Sequence, residues 1–205
     1  MITLALYGVL LPWSALGTPV DRVVSVVGAP RAQPIDIVVL HSTGGPDCDP
    51  RFAFRTSALD SMVNYFANRN DGISIHYVIG RDGTVVSMVP ETQVAHHVRG
   101  ANNRSIGIEM INNGDGNDPY PEAQVRRATD LLEDILRRNS LPPDAISTHA
   151  ALDTRYVECS QNSDESWTTT NNNEGRGQRR RIDPGPAFPL NAVRTAIQER
   201  LENTP

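Results

Sequence analysis

Ile35-Asp36-Ile37-Val38-Val39-Leu40-His41-Ser42-Thr43 is the stretch that decides the fold. Its apolar core is rich in β-branched side chains, which suit a pleated, packed surface. Pro34 precedes it, and Gly44, Gly45, Pro46 and Pro50 break the chain after it. A short apolar run between such breakers reads as a buried strand. A histidine, His41, stands at its end, with loop expected from Ser42 to Arg55.

Working outward, the same grammar recurs. His76–Arg81 and Thr84–Val89 flank Asp82-Gly83 and predict a hairpin. Ser105–Ile111 is a further strand and carries Glu109. Ala145–Thr148 is a short one that runs into His149. Helical patterns lie between and after them. Leu59, Met62, Val63 and Phe66 fall at i, i+3, i+4, i+7, with Ser57 and Asp60 as a capping box. Pro121–Arg138 places Val125, Ala128, Leu132, Ile135 and Leu136 on one face. Val193, Ala196, Ile197 and Leu201 mark a closing helix. Strands alternating with helices predict an α/β domain, a mixed central sheet flanked by helices.

Composition sets limits. A chain of 205 residues buries one substantial core, so a single domain is expected over 18–205, with residues 18–34 as its lead-in. A net charge of −5 gives no sign of a nucleic-acid partner. All 19 basic residues are Arg, a bias that matters below. Cys48 and Cys159 form no C-x-x-C pair, which disfavours a structural zinc knuckle. Residues 1–17 are apolar and uncharged, with Ala15 and Gly17 as small residues at a cleavage position. Pro12 breaks the run, which is too short for a stable membrane span. A signal peptide is the expectation, which points to a periplasmic or secreted protein. The missing basic start argues against it, and the alternative is an N-terminal segment packed on the domain. Residues 160–180 are polar, Gly- and Asn-rich, and predict a flexible insertion at the rim of the site.

Four residues carry the chemistry. His41, His149 and Asp183 supply two imidazoles and a carboxylate, a set that holds Zn²⁺ and leaves a fourth position open. Glu109 is then the acid–base group. The segments around them, Val38–Thr43, His76–Val85, Asn103–Glu109, Ser147–Ala150 and Ile182–Phe188, resemble those of the zinc-dependent N-acetylmuramoyl-L-alanine amidases of the type 2 family, relatives of the peptidoglycan recognition proteins. The resemblance spans about Ile35 to Phe188. It implies zinc on His41, His149 and Asp183, and cleavage of the amide between N-acetylmuramic acid and L-alanine in peptidoglycan or muropeptides. Some relatives have Tyr where this chain has Ile75, which leaves the proton work to Glu109.

Two departures from the family stand out. Arg181 occupies a position usually held by Lys. Arg stays protonated, so it stabilises an oxyanion without donating a proton. His149 and Asp183 are also 34 residues apart, much further than in relatives, and the polar insertion supplies the excess. It is expected to act as a flap governing which muropeptides enter. If both histidines meet one metal, the loops leaving them are neighbours, and a Cys48–Cys159 disulfide is a reasonable pairing.

Plainer roles compete with each of these. Asp183 in Asp-Pro-Gly is also turn chemistry. Asp153 is a rival ligand, Glu109 could be a surface residue, and His76 suits the sheet interior. His97 has equal claims to substrate contact and to support. Asn103 is a weaker candidate for substrate binding. The arginines at 176 and 179–181 are either a solvated run or an attraction for acidic stem peptides. Functional alternatives are a peptidoglycan-binding module without catalysis and a cytoplasmic amidase recycling anhydro-muropeptides. A monomer is expected.

Overall fold

A computed structural model describes residues 19–203. The expected signal peptide, 1–17, lies outside the described residues. In chain order the elements are β1 (Arg22–Val23), β2 (Ala29–Pro30), β3 (Ile37–Ser42), α1 (Leu59–Asn68), β4 (Tyr77–Ile79), β5 (Val85–Ser87), β6 (Gln93–Val94), β7 (Ser105–Met110), α2 (Glu122–Asn139), β8 (Ile146–Thr148), α3 (His149–Leu152), β9 (Tyr156–Gln161), β10 (Trp167–Asn172), β11 (Gln178–Arg179) and α4 (Leu190–Glu202).

The decisive stretch forms β3, deep within a six-stranded sheet of order β1-β5-β4-β7-β3-β8. Its neighbours β7 and β8 run parallel to it, β4 runs parallel to β7, and β5 returns antiparallel to β4. This is the mixed sheet that the alternating pattern predicts. Val38, Val39 and Leu40 are fully buried because helices or loops cover both faces. On one face Leu40, Ile106 and Ile108 meet Leu132, Ile135 and Leu136 of α2 and Ile197 of α4. On the other, Val78 and Val86 meet Val63 and Phe66 of α1. The Asp82-Gly83 turn joins β4 to β5, with Gly83 at φ +88°.

Local differences have physical reasons. The Ser57–Asp60 capping box does not form, because Ala58 takes the N-cap position and Ser57 lies one residue too early. Asp60 pairs with Arg22 instead, at 2.7 Å. The lead-in is clasped by Arg31, whose guanidinium donates to the carbonyls of Glu91, Gln93, Asn103 and Ser105.

The polar insertion carries a correction to the loop reading. It forms a three-stranded antiparallel sheet of order β10-β9-β11. Thr168, Thr169 and Thr170 pair across to Ser160, Cys159 and Glu158. β-Branched side chains favour such a ladder. Most of its positions are exposed, so no alternation of apolar and polar residues announces it. Cys159 of β9 is disulfide-bonded to Cys48, with Cα atoms 5.2 Å apart.

Candidate metal centre and catalytic cleft

Strand ends and turns deliver the chemical residues to one place. His41 lies near the end of β3, and the ladder sets it directly opposite Glu109 of β7. His149 opens α3 immediately after β8, and Thr148 Oγ1 accepts the Ala151 N–H at 3.1 Å to cap that turn. Asp183 lies in the turn that the sequence suggests, where the Gly185 N–H donates to the Ile182 carbonyl at 2.9 Å. Turn and site coexist, because the backbone makes the turn while the carboxylate points inward. The Tyr120 hydroxyl donates to the Pro184 carbonyl at 2.7 Å and ties that turn down.

His41, His149 and Asp183 form a buried group that could hold a metal ion. His41 Nδ1 and His149 Nδ1 are 3.0 Å apart, and Asp183 Oδ2 lies 3.0 Å from His149 Nδ1 and 3.3 Å from His41 Nδ1. Bonds of about 2.0–2.2 Å to a tetrahedral ion set ligand atoms roughly 3.3–3.5 Å apart. The triangle is close to that size, so its two nitrogens and one oxygen could hold a cation between them. Burial pushes the His41 imidazole down to about 4, against the pull of its hydrogen bond to Asp183. Burial alone would raise the Asp183 carboxyl, but hydrogen bonds from His149 and His41 outweigh it and hold the group well below the usual carboxylate range. A neutral imidazole at His41 and an ionised carboxylate at Asp183 are forms that bind metal.

A second histidine backs the first. His41 Nε2 lies 3.0 Å from His97 Nδ1, and His97 Nε2 lies 3.0 Å from Ser105 Oγ. A lone pair facing the triangle leaves the His41 proton on Nε2, directed at His97. Burial first, then His41 and His76, pushes the His97 imidazole down and keeps it neutral. Gly107 makes room for this stack, since a Cβ there would come 2.6 Å from the His97 ring. His97 also lines the cleft, so its place combines support with access.

Glu109 is buried in the same cleft. Burial, then the charge of Asp183, pushes its carboxyl up to about 8, and Arg181 only partly counters this. The Arg181 side chain makes no hydrogen bond or ion pair among the described residues, and its Nε is buried without a partner. It faces the cleft with His41 and Glu109. Ile75 lines the cleft as well, and Met62, Tyr65 and Phe66 form an apolar wall leading away from it.

Other candidates land elsewhere. Asn103 does not line the cleft: a 3-10 turn over Asn102–Arg104 carries it to a separate hollow beside Gln33 and His96. Its neighbour Asn102, which sequence reasoning missed, accepts the backbone N–H groups of His97 and Val98 at 2.9 and 2.8 Å. Asp153 is bound to Arg155 rather than to the triangle. His76 lies inside the sheet, its Nδ1 accepting the Gly107 N–H at 3.0 Å. The arginines of 176–181 are not one solvated run. Arg176 pairs with Glu158, Arg179 donates to the Ala150 carbonyl, and Arg180 reaches Asn171.

Residues 31–186 match the N-acetylmuramoyl-L-alanine amidase family, Amidase_2. The chain belongs to that family. Peptidoglycan-recognition protein 1 of Holotrichia diomphalia is 34% identical over 107 residues, 51% of this chain. The chain spans about half the length of that curated relative, 51%. Three solved structures share the fold. AmpD, at 22% identity, covers 87% of this chain and 94% of its own with a TM-score of 0.55. The endolysin LysCS of Clostridium intestinale, at 17% identity, covers 89% and 99% with a TM-score of 0.54. AmiD of E. coli, solved with anhydro-N-acetylmuramic acid-L-Ala-D-γ-Glu-L-Lys, aligns over 82% of this chain and 58% of its own at 22% identity and a TM-score of 0.53.

Proposed function

We propose that this amidase-family chain is a zinc-dependent hydrolase cutting the amide between N-acetylmuramic acid and L-alanine in peptidoglycan or its soluble fragments. One observation carries the reading: a His-His-Asp triangle, a buried acid–base carboxyl and an unpaired guanidinium share one open cleft. Two imidazoles and one carboxylate suit zinc, and a zinc ion held by His41, His149 and Asp183 would supply Lewis acidity for water and the scissile carbonyl.

The chain's own groups do the rest. Glu109 takes a proton from the attacking water as oxygen bonds to the carbonyl carbon. Arg181 faces the oxyanion that develops and stabilises it without losing its own proton. As the C–N bond breaks, Glu109 returns the proton to the departing amine. Burial and Asp183 raise the Glu109 carboxyl in the ion-free site, and a cation held by the triangle would draw it back toward the ionised form that accepts the water proton. His97 keeps the His41 ring in the orientation that leaves Nδ1 toward the triangle.

The similarity to a peptidoglycan-recognition protein supports a second reading, binding without cleavage. A pure binder has no need of Glu109 and Arg181 beside a complete triangle, so hydrolysis is favoured. The Cys48–Cys159 disulfide supports an oxidising compartment, periplasmic or extracellular, over the cytoplasm. No helix of the described residues is long and apolar enough to cross a membrane. A monomer suffices, since one chain supplies every group named. Incubating the protein with muropeptides, with and without chelator, and reading products by mass spectrometry tests the proposal. Release of free stem peptide that stops with chelator is expected. Intact muropeptides in the zinc-loaded arm would reject hydrolysis.

A further inference from the structure

The inserted sheet ends on its shortest strand. β11 is two residues, Gln178 and Arg179, paired with Val157 and Tyr156 of β9. Gly177 permits so close an approach: its φ is +80°, and a Cβ there would collide with the Val157 carbonyl. Successive side chains of a strand leave on opposite sides. Here the two reach different loops. Gln178 Nε2 donates to the Asp47 carbonyl at 3.4 Å, in the loop that follows His41, and lies 3.6 Å from Cys159 Sγ. Cys159 is itself bonded to Cys48 of that same loop. Arg179 Nη2 donates to the Ala150 carbonyl at 2.6 Å, in the helical turn that His149 opens. The Tyr156 ring supports this arm, with the guanidinium carbon 5.6 Å from its centroid.

Ala150 is therefore bound on both sides. Its N–H donates to the Asp183 carbonyl at 3.1 Å. α3 has only four residues, so most of its carbonyls need donors from outside, and Arg179 supplies one. In sequence His149 and Asp183 are 34 residues apart. A flexible span of that length leaves its two ends free to drift. The Arg179–Ala150 bond closes it one residue after His149 and four residues before Asp183.

We propose that β11 is a brace for the candidate metal centre, with Arg179 as a positioning residue that holds the His149 turn in register with Asp183. The inference rests on the zinc reading of the triangle. Arg179 does not line the cleft, so it acts on the ligands through backbone carbonyls rather than on the reacting atoms. The insertion thereby has a task other than gating substrate entry. It fastens the segments of His41, His149 and Asp183 to one another.

The test compares wild type with Arg179→Gln and with Arg176→Gln as a control. Arg176 belongs to the same insertion but bonds to Glu158, away from the ligand turns. Zinc is titrated into each metal-free protein against a competing chelator, and amide hydrogen exchange is followed at residues 149–153 of the metal-free forms. Arg179→Gln is expected to bind zinc about 10- to 100-fold more weakly and to exchange faster at 149–153. Arg176→Gln should match wild type in both. Arg179→Lys keeps a donor for one carbonyl and should fall between; it carries the test if Arg179→Gln folds poorly. Zinc affinity and exchange in the Arg179 variants equal to wild type would overturn the brace and leave the triangle standing as a zinc site. An equal loss in Arg176→Gln would also overturn it, since general sheet integrity would then set the affinity. No zinc uptake by wild type would reject the zinc reading instead. Exchange alone then decides: faster exchange in Arg179→Gln upholds Arg179 as the support of the His149 turn, and unchanged exchange overturns it.

Discussion

Replacing Cys48 and Cys159 together by serine asks what fastens the added sheet to the site. The disulfide links positions 111 residues apart. Closing a loop of that length removes about 16 cal/mol/K of entropy from the unfolded chain, or about 4.8 kcal/mol at 25 °C. In a chain of this size each kcal/mol moves Tm by about 2–4 °C, so a fall of roughly 10–19 °C is expected. The assay is thermal unfolding of wild type in oxidising and reducing buffer beside the double variant. Reduced wild type and the variant should melt together, well below the oxidised protein. A loss under about 1 kcal/mol, or reduced wild type melting with the oxidised form, would refute the reasoning and leave the backbone ladder as the fastening.

Four further predictions follow from the cleft. Glu109→Gln should lower kcat by about 10²- to 10⁴-fold with metal content unchanged, measured by product release and elemental analysis. In chelated protein, native Glu109 keeps a proton up to about 8 that the unfolded chain releases near 4.5. Its contribution to stability should thus fall as pH rises through that window, and melts of wild type and Glu109→Gln should differ by that slope. Single alanine variants of His41, His149 and Asp183 should each lose bound zinc under dialysis; full retention by any of them removes that residue from the ligand set. Arg181→Lys should keep most activity, whereas Arg181→Ala should lose about 2–4 kcal/mol of transition-state stabilisation, roughly 30- to 900-fold in kcat/KM. Equal rates in Arg181→Ala and wild type would end its electrostatic role.

Much of the architecture is legible from apolar spacing. Val38–Leu40, the Asp82-Gly83 turn and the α2 stripe each have one physical solution, and the fold uses it. His41, Glu109, His149 and Asp183 stand out because each is polar at the end of an apolar run or in a turn. The insertion is illegible for the opposite reason. Its strands are held by backbone pairing, threonines and a cross-link, and they bury few side chains, so the usual periodicity is missing. Arg179 and Asn102 are equally hidden. Nothing in the run of arginines at 179–181 tells which one reaches the His149 turn, and Asn102 acts through backbone amides that only the folded loop gathers. Asn103 lies in a 3-10 turn beside a separate hollow, a placement that its sequence neighbourhood does not announce.

The pairing of β3 with β7 has a practical corollary. Side chains alternate along a strand, so a slip of one residue would send His41 and Glu109 to opposite faces and set Leu40 against the residues packed on the sheet's other covered side. A mis-threaded molecule therefore loses its candidate site and its core packing in the same stroke. Any turnover found in a preparation would then count correctly assembled sheets, and specific activity would gauge folding quality.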